Sequence, residues 1–247
     1  MTGLQDPAAN MAAPEKTATP RGGRRIVLRL LAVGVCLVLV ALGAWQVQRR
    51  AWKLDLIQRV DARIHASPVP APGPAAWKSG SPAADEYLRV QASGIFLNDR
   101  QTLVKAVTER GGGYWVLTPL RTDAGFTVIV NRGFIPTDQA QAGLITETPP
   151  RQVSVTGLLR LSEPAGGFLR ANDPDGGRWY SRDVPAIAEK RGLGIVAPYF
   201  IDAEATPGAP AGPVGGLTVV NFPNNHLIYA LTWFGLAAMA LAAAFFV

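Results

Sequence analysis

A single histidine stands at the start of the second of two long apolar runs, and two aromatic residues follow it at helical spacing. Tyr229 and Trp233 come three and seven residues after His226, so on a helix the three share one face. A neutral imidazole can ligate iron, and aromatic rings can flank a planar macrocycle. The same residues suit a membrane interface, where Tyr and Trp form belts. The pattern leaves both interpretations open.

Two arginines, Arg49 and Arg50, lie just after the first apolar run, between Trp45 and Trp52. If both runs span a membrane as antiparallel helices, these arginines reach the same membrane face as His226. A guanidinium binds carboxylates in a fork geometry, and haem carries propionate carboxylates. Contact with phospholipid headgroups is the competing interpretation.

Signatures of catalysis are absent from the sequence. It has no G-x-S-x-G elbow, no Walker loop and no G-x-G-x-x-G motif after a strand. His65 and His226 are the only histidines and Cys36 is the only cysteine, which leaves no Ser-His-Asp set and no zinc or copper cluster. Asp173 and Asp175 could bind a cation, although a solvated turn explains them as well. We therefore predict a protein without catalytic residues.

The charge of the chain is concentrated around the first apolar run. The net charge is +6, and residues 1–64 carry this whole excess, whereas residues 65–226 carry 14 basic and 14 acidic side chains. A domain that binds nucleic acid needs a basic face. The neutral middle of the chain therefore argues against nucleic acid, and the basic segments favour contact with a lipid bilayer.

The apolar runs predict two transmembrane helices, at residues 26–47 and 226–247. Each is long enough to cross about 30 Å of hydrocarbon as a helix. Residues 1–25 are rich in Ala, Gly, Pro and Thr and are predicted to form a disordered tail. Residues 48–225 then form an extramembrane domain.

Two points about membrane insertion stay open in the sequence. Ala41-Leu42-Gly43 could be a signal-peptide cleavage site, although the apolar core of a signal peptide is usually only about 7–15 residues long. Basic residues are equally numerous before and after the first run, so the positive-inside rule does not choose an orientation.

Short segments rich in β-forming residues dominate the extramembrane domain. Predicted strands are Tyr87–Phe96, Thr102–Val107, Tyr114–Leu120, Phe126–Asn131, Val153–Leu159, Tyr199–Ile201 and Leu217–Val220. Spacing also predicts that the first helix continues to Ile64, that Ser67 to Pro82 form a linker, and that Val184 to Arg191 form a helix capped by Asp183. The predicted fold class is a membrane protein of the α+β type, in which two transmembrane helices flank a β-rich domain.

Several segments, in order along roughly residues 43–240, resemble the Surf-one type of the Surfeit-locus family of cytochrome c oxidase assembly factors. The matching segments are WQVQRRAWKLDLI from Trp45, GYWVLTPL from Gly113, VNRGFIP from Val130, VTGLLR from Val155, ANDPDGGRWYSRD from Ala171, PYFIDA from Pro198 and GGLTVVNFPNNHLIYALTWFGLA from Gly215. Phe134 departs from the family pattern, because a tryptophan is expected there.

The resemblance implies an assembly factor that binds haem a and aids its insertion into the catalytic subunit of haem–copper cytochrome c oxidase. Haem a synthase is a further candidate partner. The family's proposed haem ligand matches His226, and Tyr229, Trp233, Arg49 and Arg50 complete the candidate cofactor site. A scaffold without a cofactor, which stabilises an oxidase intermediate, is the alternative.

The resemblance also implies a location. It places the protein in an inner membrane, with both termini in the cytoplasm and residues 48–225 in the periplasm, or in the intermembrane space if the source is mitochondrial. The tail contains Asp6 and Glu15, whereas transit peptides are poor in acidic residues, which favours a bacterial source.

Overall fold

The computed structural model describes residues 21–79, 82–142, 151–167, 170–205, 212–218, 220 and 222–246. They belong to two compact units, one made of Met1–Asp55 with Pro223–Val247 and the other of Leu56–Phe222. Residues 1–20 of the predicted tail lie outside the described residues. Residues 21–25, which were also assigned to that tail, are helical, because a helix extends at little cost once it has been nucleated.

Five helices and seven strands make up the described chain, together with 3₁₀ turns at Pro82–Asp85 and Asn98–Arg100. In chain order they are α1 Arg21–His65, β1 Val69–Pro70, α2 Pro74–Ser79, β2 Arg89–Phe96, β3 Thr102–Thr108, β4 Gly111–Thr122, β5 Thr127–Pro136, α3 Thr137–Gln141, β6 Gln152–Leu161, α4 Val184–Lys190, β7 Val196–Ala203 and α5 His226–Phe246.

The helices α1 and α5 are each long and apolar enough to cross a membrane. They flank the β-rich unit in the sequence, so the predicted fold class is confirmed. The extension of α1 beyond the apolar run is also confirmed, since the helix continues to His65. Of the apolar stripe that predicted this extension, Val60 is buried, and Leu54, Ile57 and Ile64 are partly buried.

The strands of the second unit form one sheet in the order β1-β2-β6-β7-β5-β4-β3. Strand β2 also pairs with β4, because Gly94–Phe96 lies antiparallel to Leu120–Thr122. This second pairing closes β2, β6, β7, β5 and β4 into a five-stranded barrel. The β5–β7 pair is parallel, whereas the other neighbours within the ring are antiparallel.

Ring closure requires a residue without a side chain at Gly94. A Cβ atom there would lie 2.1 Å from the carbonyl oxygen of Arg121 on β4, closer than any real Cβ contact. Only glycine therefore lets β2 approach β4 closely enough to pair, which is a recognised use of glycine at the corners of small barrels.

Strand β5 is buried on both of its faces. Val128 and Val130 pack into one core cluster with Leu120 and Tyr199, while Ile129 packs on the other side against the cluster that contains residues of α4. A strand that is covered on both sides shows a continuous apolar run rather than an alternating one, as this sequence does at residues 128–130.

The strands β2 to β7 confirm six of the predicted strands, and β3 to β7 are longer than predicted. The seventh prediction, Leu217–Val220, is wrong, because none of its described residues lies in a strand. The predicted helix is confirmed as α4, and the Asp183 side chain accepts a hydrogen bond from the Ala186 N–H at 3.2 Å.

The predicted linker at residues 67–82 has regular structure, since it contains β1 and α2. Val69 pairs with Val90 on β2. The Trp77 indole N–H donates to the Pro72 carbonyl at 2.7 Å, and its ring packs edge-on against Phe126 at 5.2 Å. A large aromatic side chain thus anchors this proline-rich segment to the core.

Candidate functional site

The side chain of His226 is half-buried at the first turn of α5, within the first compact unit. Its Nδ1 atom lies 2.8 Å from Oε1 of Gln46 on α1. Its Nε2 atom has no hydrogen-bond partner among the described residues. An imidazole that is held through one nitrogen while the other is free is the usual arrangement of a metal-ligating histidine.

Small residues bring α1 and α5 close enough for this contact. Ala230 and Ala237 are buried on the same face of α5 as His226, four and eleven residues further on. Gly43 on α1 is also buried, and a Cβ atom there would lie 2.5 Å from the Phe234 ring. Close approach of this kind is typical of helix pairs in membranes. Ala238 is exposed and lies off this face, because two helical turns after Ala230 end at residue 237.

Tyr229 and Trp233 lie along the same side of α5 as His226. Trp233 is half-buried, whereas Tyr229 is 54% exposed. In the described part of the chain, neither ring forms an aromatic pair. Both rings could therefore flank a planar ligand next to the imidazole, and both also suit a membrane interface.

Arg49 and Arg50 lie one helical turn beyond Gln46 on α1. The Arg49 guanidinium stacks on the Trp52 ring, 4.2 Å from its centroid, and Arg50 is half-buried. Neither guanidinium forms an ion pair with a described residue. Their donors are thus available to a carboxylate or a phosphate near His226.

The other residues that could hold a metal are kept apart. His65 is exposed at the end of α1, with Nδ1 2.9 Å from the Asp61 carbonyl oxygen. Asp173 pairs with Arg178, and Asp175 pairs with Lys190 at 2.9 Å. No group of three or more metal-ligating side chains occurs within the described ranges. Both carboxylates of the turn at residues 173–178 are therefore paired with basic side chains.

A second polar site lies inside the barrel unit, around Asp202 on β7. Asp202 is only 4% exposed and accepts hydrogen bonds from four side chains. These donors are Asn131 at 2.8 Å, Thr218 at 3.1 Å, Arg182 at 3.2 Å and Arg160 at 3.5 Å. We call these five residues the Asp202 cluster. A buried carboxylate persists when it is paired and hydrogen-bonded in this way.

The charges within and around this cluster are strongly coupled. Burial lowers the pKa of Arg182, but its hydrogen bonds and ion pairs with Glu163 and Asp202 outweigh burial, so its pKa lies above the usual value. Burial likewise raises the pKa of Glu163, and the hydrogen bonds and charge of Arg182 outweigh this effect, so its pKa lies below the usual value. Arg182 also stacks on Phe200 at 4.7 Å. Arg182 and Glu163 therefore stay ionised together over the neutral pH range.

The cluster forms the wall of a cavity of about 610 Å³. Trp115, Val107 and Leu217 add apolar surface to the same cavity. Each charged group of the Asp202 cluster is paired with another protein group. The cluster's part of the cavity wall thus pairs its own charges and does not single out one class of ligand.

Comparison with known proteins identifies the family. The SURF1 family model matches residues 33–238. Surfeit locus protein 1 of Homo sapiens is 38% identical over 220 residues, which cover 80% of this chain and 69% of that protein. The Gallus gallus protein of the same name is 34% identical over 90% of this chain and 75% of its own length. A SURF1-like protein of Monosiga brevicollis is 35% identical over 91% of this chain and 88% of its own length.

The chain belongs to the SURF1 family. The resemblance that the sequence motifs indicated is thus confirmed. In three dimensions, several of these motifs meet at the Asp202 cluster. Asn131 comes from VNRGFIP, Arg160 from VTGLLR, Arg182 from ANDPDGGRWYSRD and Asp202 from PYFIDA.

The sequence analysis did not identify the Asp202 cluster or Gln46. The signal for the cluster was present, because charged or amide residues occur in each of the family motifs that supply it. The signal for Gln46 was weaker. It is a neutral polar residue at the end of an apolar run, and such a residue is costly unless it finds a partner.

Proposed function

We propose that this SURF1-family protein is an assembly factor for haem–copper cytochrome c oxidase, and that it binds haem a and aids its insertion into the catalytic subunit. The observation that carries the proposal is the half-buried imidazole of His226, which is hydrogen-bonded through Nδ1 and free at Nε2. Haem synthesis supplies the cargo, so haem a synthase is a natural second partner.

The residues around His226 fit such a cargo. His226 would ligate the iron through Nε2, and Trp233 and Tyr229 would flank the macrocycle. Arg49 and Arg50 would bind the propionates, since neither guanidinium has an ion-pair partner among the described residues. Haem a is very apolar, and a site at the end of two membrane-spanning helices would let its tail remain in lipid.

The protein is expected to reside in an inner membrane with both termini in the cytoplasm. Reporter fusions within residues 100–200 should therefore indicate the periplasmic side in a bacterium, and fusions at either terminus the cytoplasmic side. Two spanning helices place both chain ends on one side, and the family resemblance implies that this side is the cytoplasm. A cytoplasmic signal from residues 100–200 would contradict this orientation, and a mature chain that starts near Ala44 would show that the first helix is cleaved.

The haem proposal is tested by the absorbance spectrum of the full chain purified from cells that produce haem a. We expect the spectrum of bound haem a, and a protein purified from cells without haem a synthase serves as the control. A haem-free protein whose deletion still lowers oxidase activity would instead favour a scaffold that stabilises an oxidase intermediate.

A further inference from the structure

We propose that Gln46 is the positioning residue for His226. Its amide oxygen accepts the Nδ1 proton of the neutral imidazole, which leaves the lone pair of Nε2 free for iron. This inference rests on the proposed function in one respect only, the identity of the metal group. The hydrogen bond itself is a property of the protein without its cargo.

The hydrogen bond decides which tautomer is present. A neutral imidazole has one protonated nitrogen and one nitrogen with a lone pair, and only the latter can bind a metal. Oxygen Oε1 of Gln46 can only accept, and it lies 2.8 Å from Nδ1 of His226. With the amide oxygen turned towards the ring, this bond forms only in the tautomer whose proton resides on Nδ1. Without the Gln46 oxygen as acceptor, the proton could reside on Nε2. A protonated Nε2 has no free lone pair and cannot bind iron until the proton leaves.

A glutamine is well suited to this position. Its amide is uncharged and can be placed at the end of an apolar helix at lower cost than a carboxylate. It orients the imidazole without withdrawing its proton, whereas a carboxylate would increase the negative charge on the ring and strengthen iron binding. With a neutral acceptor, the imidazole can thus both bind haem and release it.

The packing of the two helices keeps the acceptor in place. Gly43 lies three residues before Gln46 and is in close contact with Phe234, while Ala230 is buried one turn after His226. These contacts fix the separation of α1 and α5 near the hydrogen bond.

The tautomer can be measured without haem. The chain contains only two histidines, so the full-length protein with His65→Asn and ¹⁵N-labelled histidine gives signals from His226 alone. In lipid nanodiscs we expect the Nδ1–H tautomer to predominate. Gln46→Leu should shift the population towards Nε2–H, whereas Gln48→Leu, which changes an exposed glutamine of the same helix, should not. A wild-type protein in the Nε2–H form would overturn the inference.

The second measurement is the affinity of haem-free protein for added haem a. Gln46→Leu should weaken binding by roughly 10–100-fold, as expected when the hydrogen-bond partner of a ligating histidine is lost. Gln46→Glu retains an acceptor oxygen, and because a carboxylate strengthens iron binding it should bind haem a at least as tightly as the wild type. Gln48→Leu should bind like the wild type.

Different results would contradict the haem proposal and the positioning role of Gln46. A His226→Ala protein that retains haem a with an unchanged spectrum would contradict the proposed ligand and leave the tautomer measurement unaffected. A Gln46→Leu protein with both wild-type affinity and the wild-type tautomer would overturn the positioning role of Gln46, while His226 would remain the ligand.

Discussion

Replacing His226 with alanine is expected to abolish the copurification of haem a with the full chain. His226 is the only histidine in the unit made of Met1–Asp55 and Pro223–Val247, so no second imidazole in that unit can replace it. Protein abundance should stay near that of the wild type, because the lost hydrogen bond to Gln46 contributes only about 1 kcal/mol. The measurement is the absorbance spectrum, normalised to protein concentration.

His65→Ala is the matched control for this experiment. It removes the other histidine, whose side chain is 74% exposed, and it should leave the haem spectrum unchanged.

The Arg49→Ala, Arg50→Ala double variant should weaken haem retention and keep the axial-ligand signature, because charge-assisted hydrogen bonds contribute roughly 1.5–3 kcal/mol each. Wild-type haem occupancy in the His226→Ala protein would show that His226, Tyr229 and Trp233 belong only to an interfacial belt.

The second large effect is expected at Asp202. Asp202→Ala removes the common acceptor of Asn131, Arg160, Arg182 and Thr218. It breaks two buried ion pairs, and it leaves Arg160 and Arg182 with Glu86 and Glu163 as their remaining acidic partners. The loss of one partner from a buried ion pair usually costs about 3–5 kcal/mol. For a unit of this size, that cost should lower the thermal unfolding midpoint by roughly 6–20 °C. Differential scanning fluorimetry of the detergent-solubilised chain measures this unfolding midpoint.

Asp175→Ala provides the control for Asp202. It also breaks an ion pair, the one between Asp175 and Lys190, but the Asp175 side chain is fully exposed. Solvent screens such a pair, so the unfolding midpoint should barely change. If the Asp202→Ala protein unfolded at the same temperature as the Asp175→Ala protein, the Asp202 cluster would not be a determinant of barrel stability.

Most of the secondary structure followed from local patterns. The two apolar helices and α4 were predicted from length, hydropathy and capping, because these depend on neighbouring residues only. The segment 67–82 was mispredicted, since its proline-rich composition is typical of a linker and only contacts such as Trp77 with Phe126 order it. Strand Leu217–Val220 was mispredicted for the opposite reason, because β-forming residues need a pairing partner.

The sequence by itself determined the membrane helices, the β-rich domain, the family and His226 as the candidate ligand. Each of these follows from composition, periodicity or motifs that are contiguous in the chain. Only the tertiary structure decided that β2 pairs with β4 to close a barrel, that distant motifs meet at Asp202, and that Gln46 lies against His226 across 180 positions of sequence. Such contacts depend on how elements pack, and packing joins residues whose spacing along the chain has no regular period.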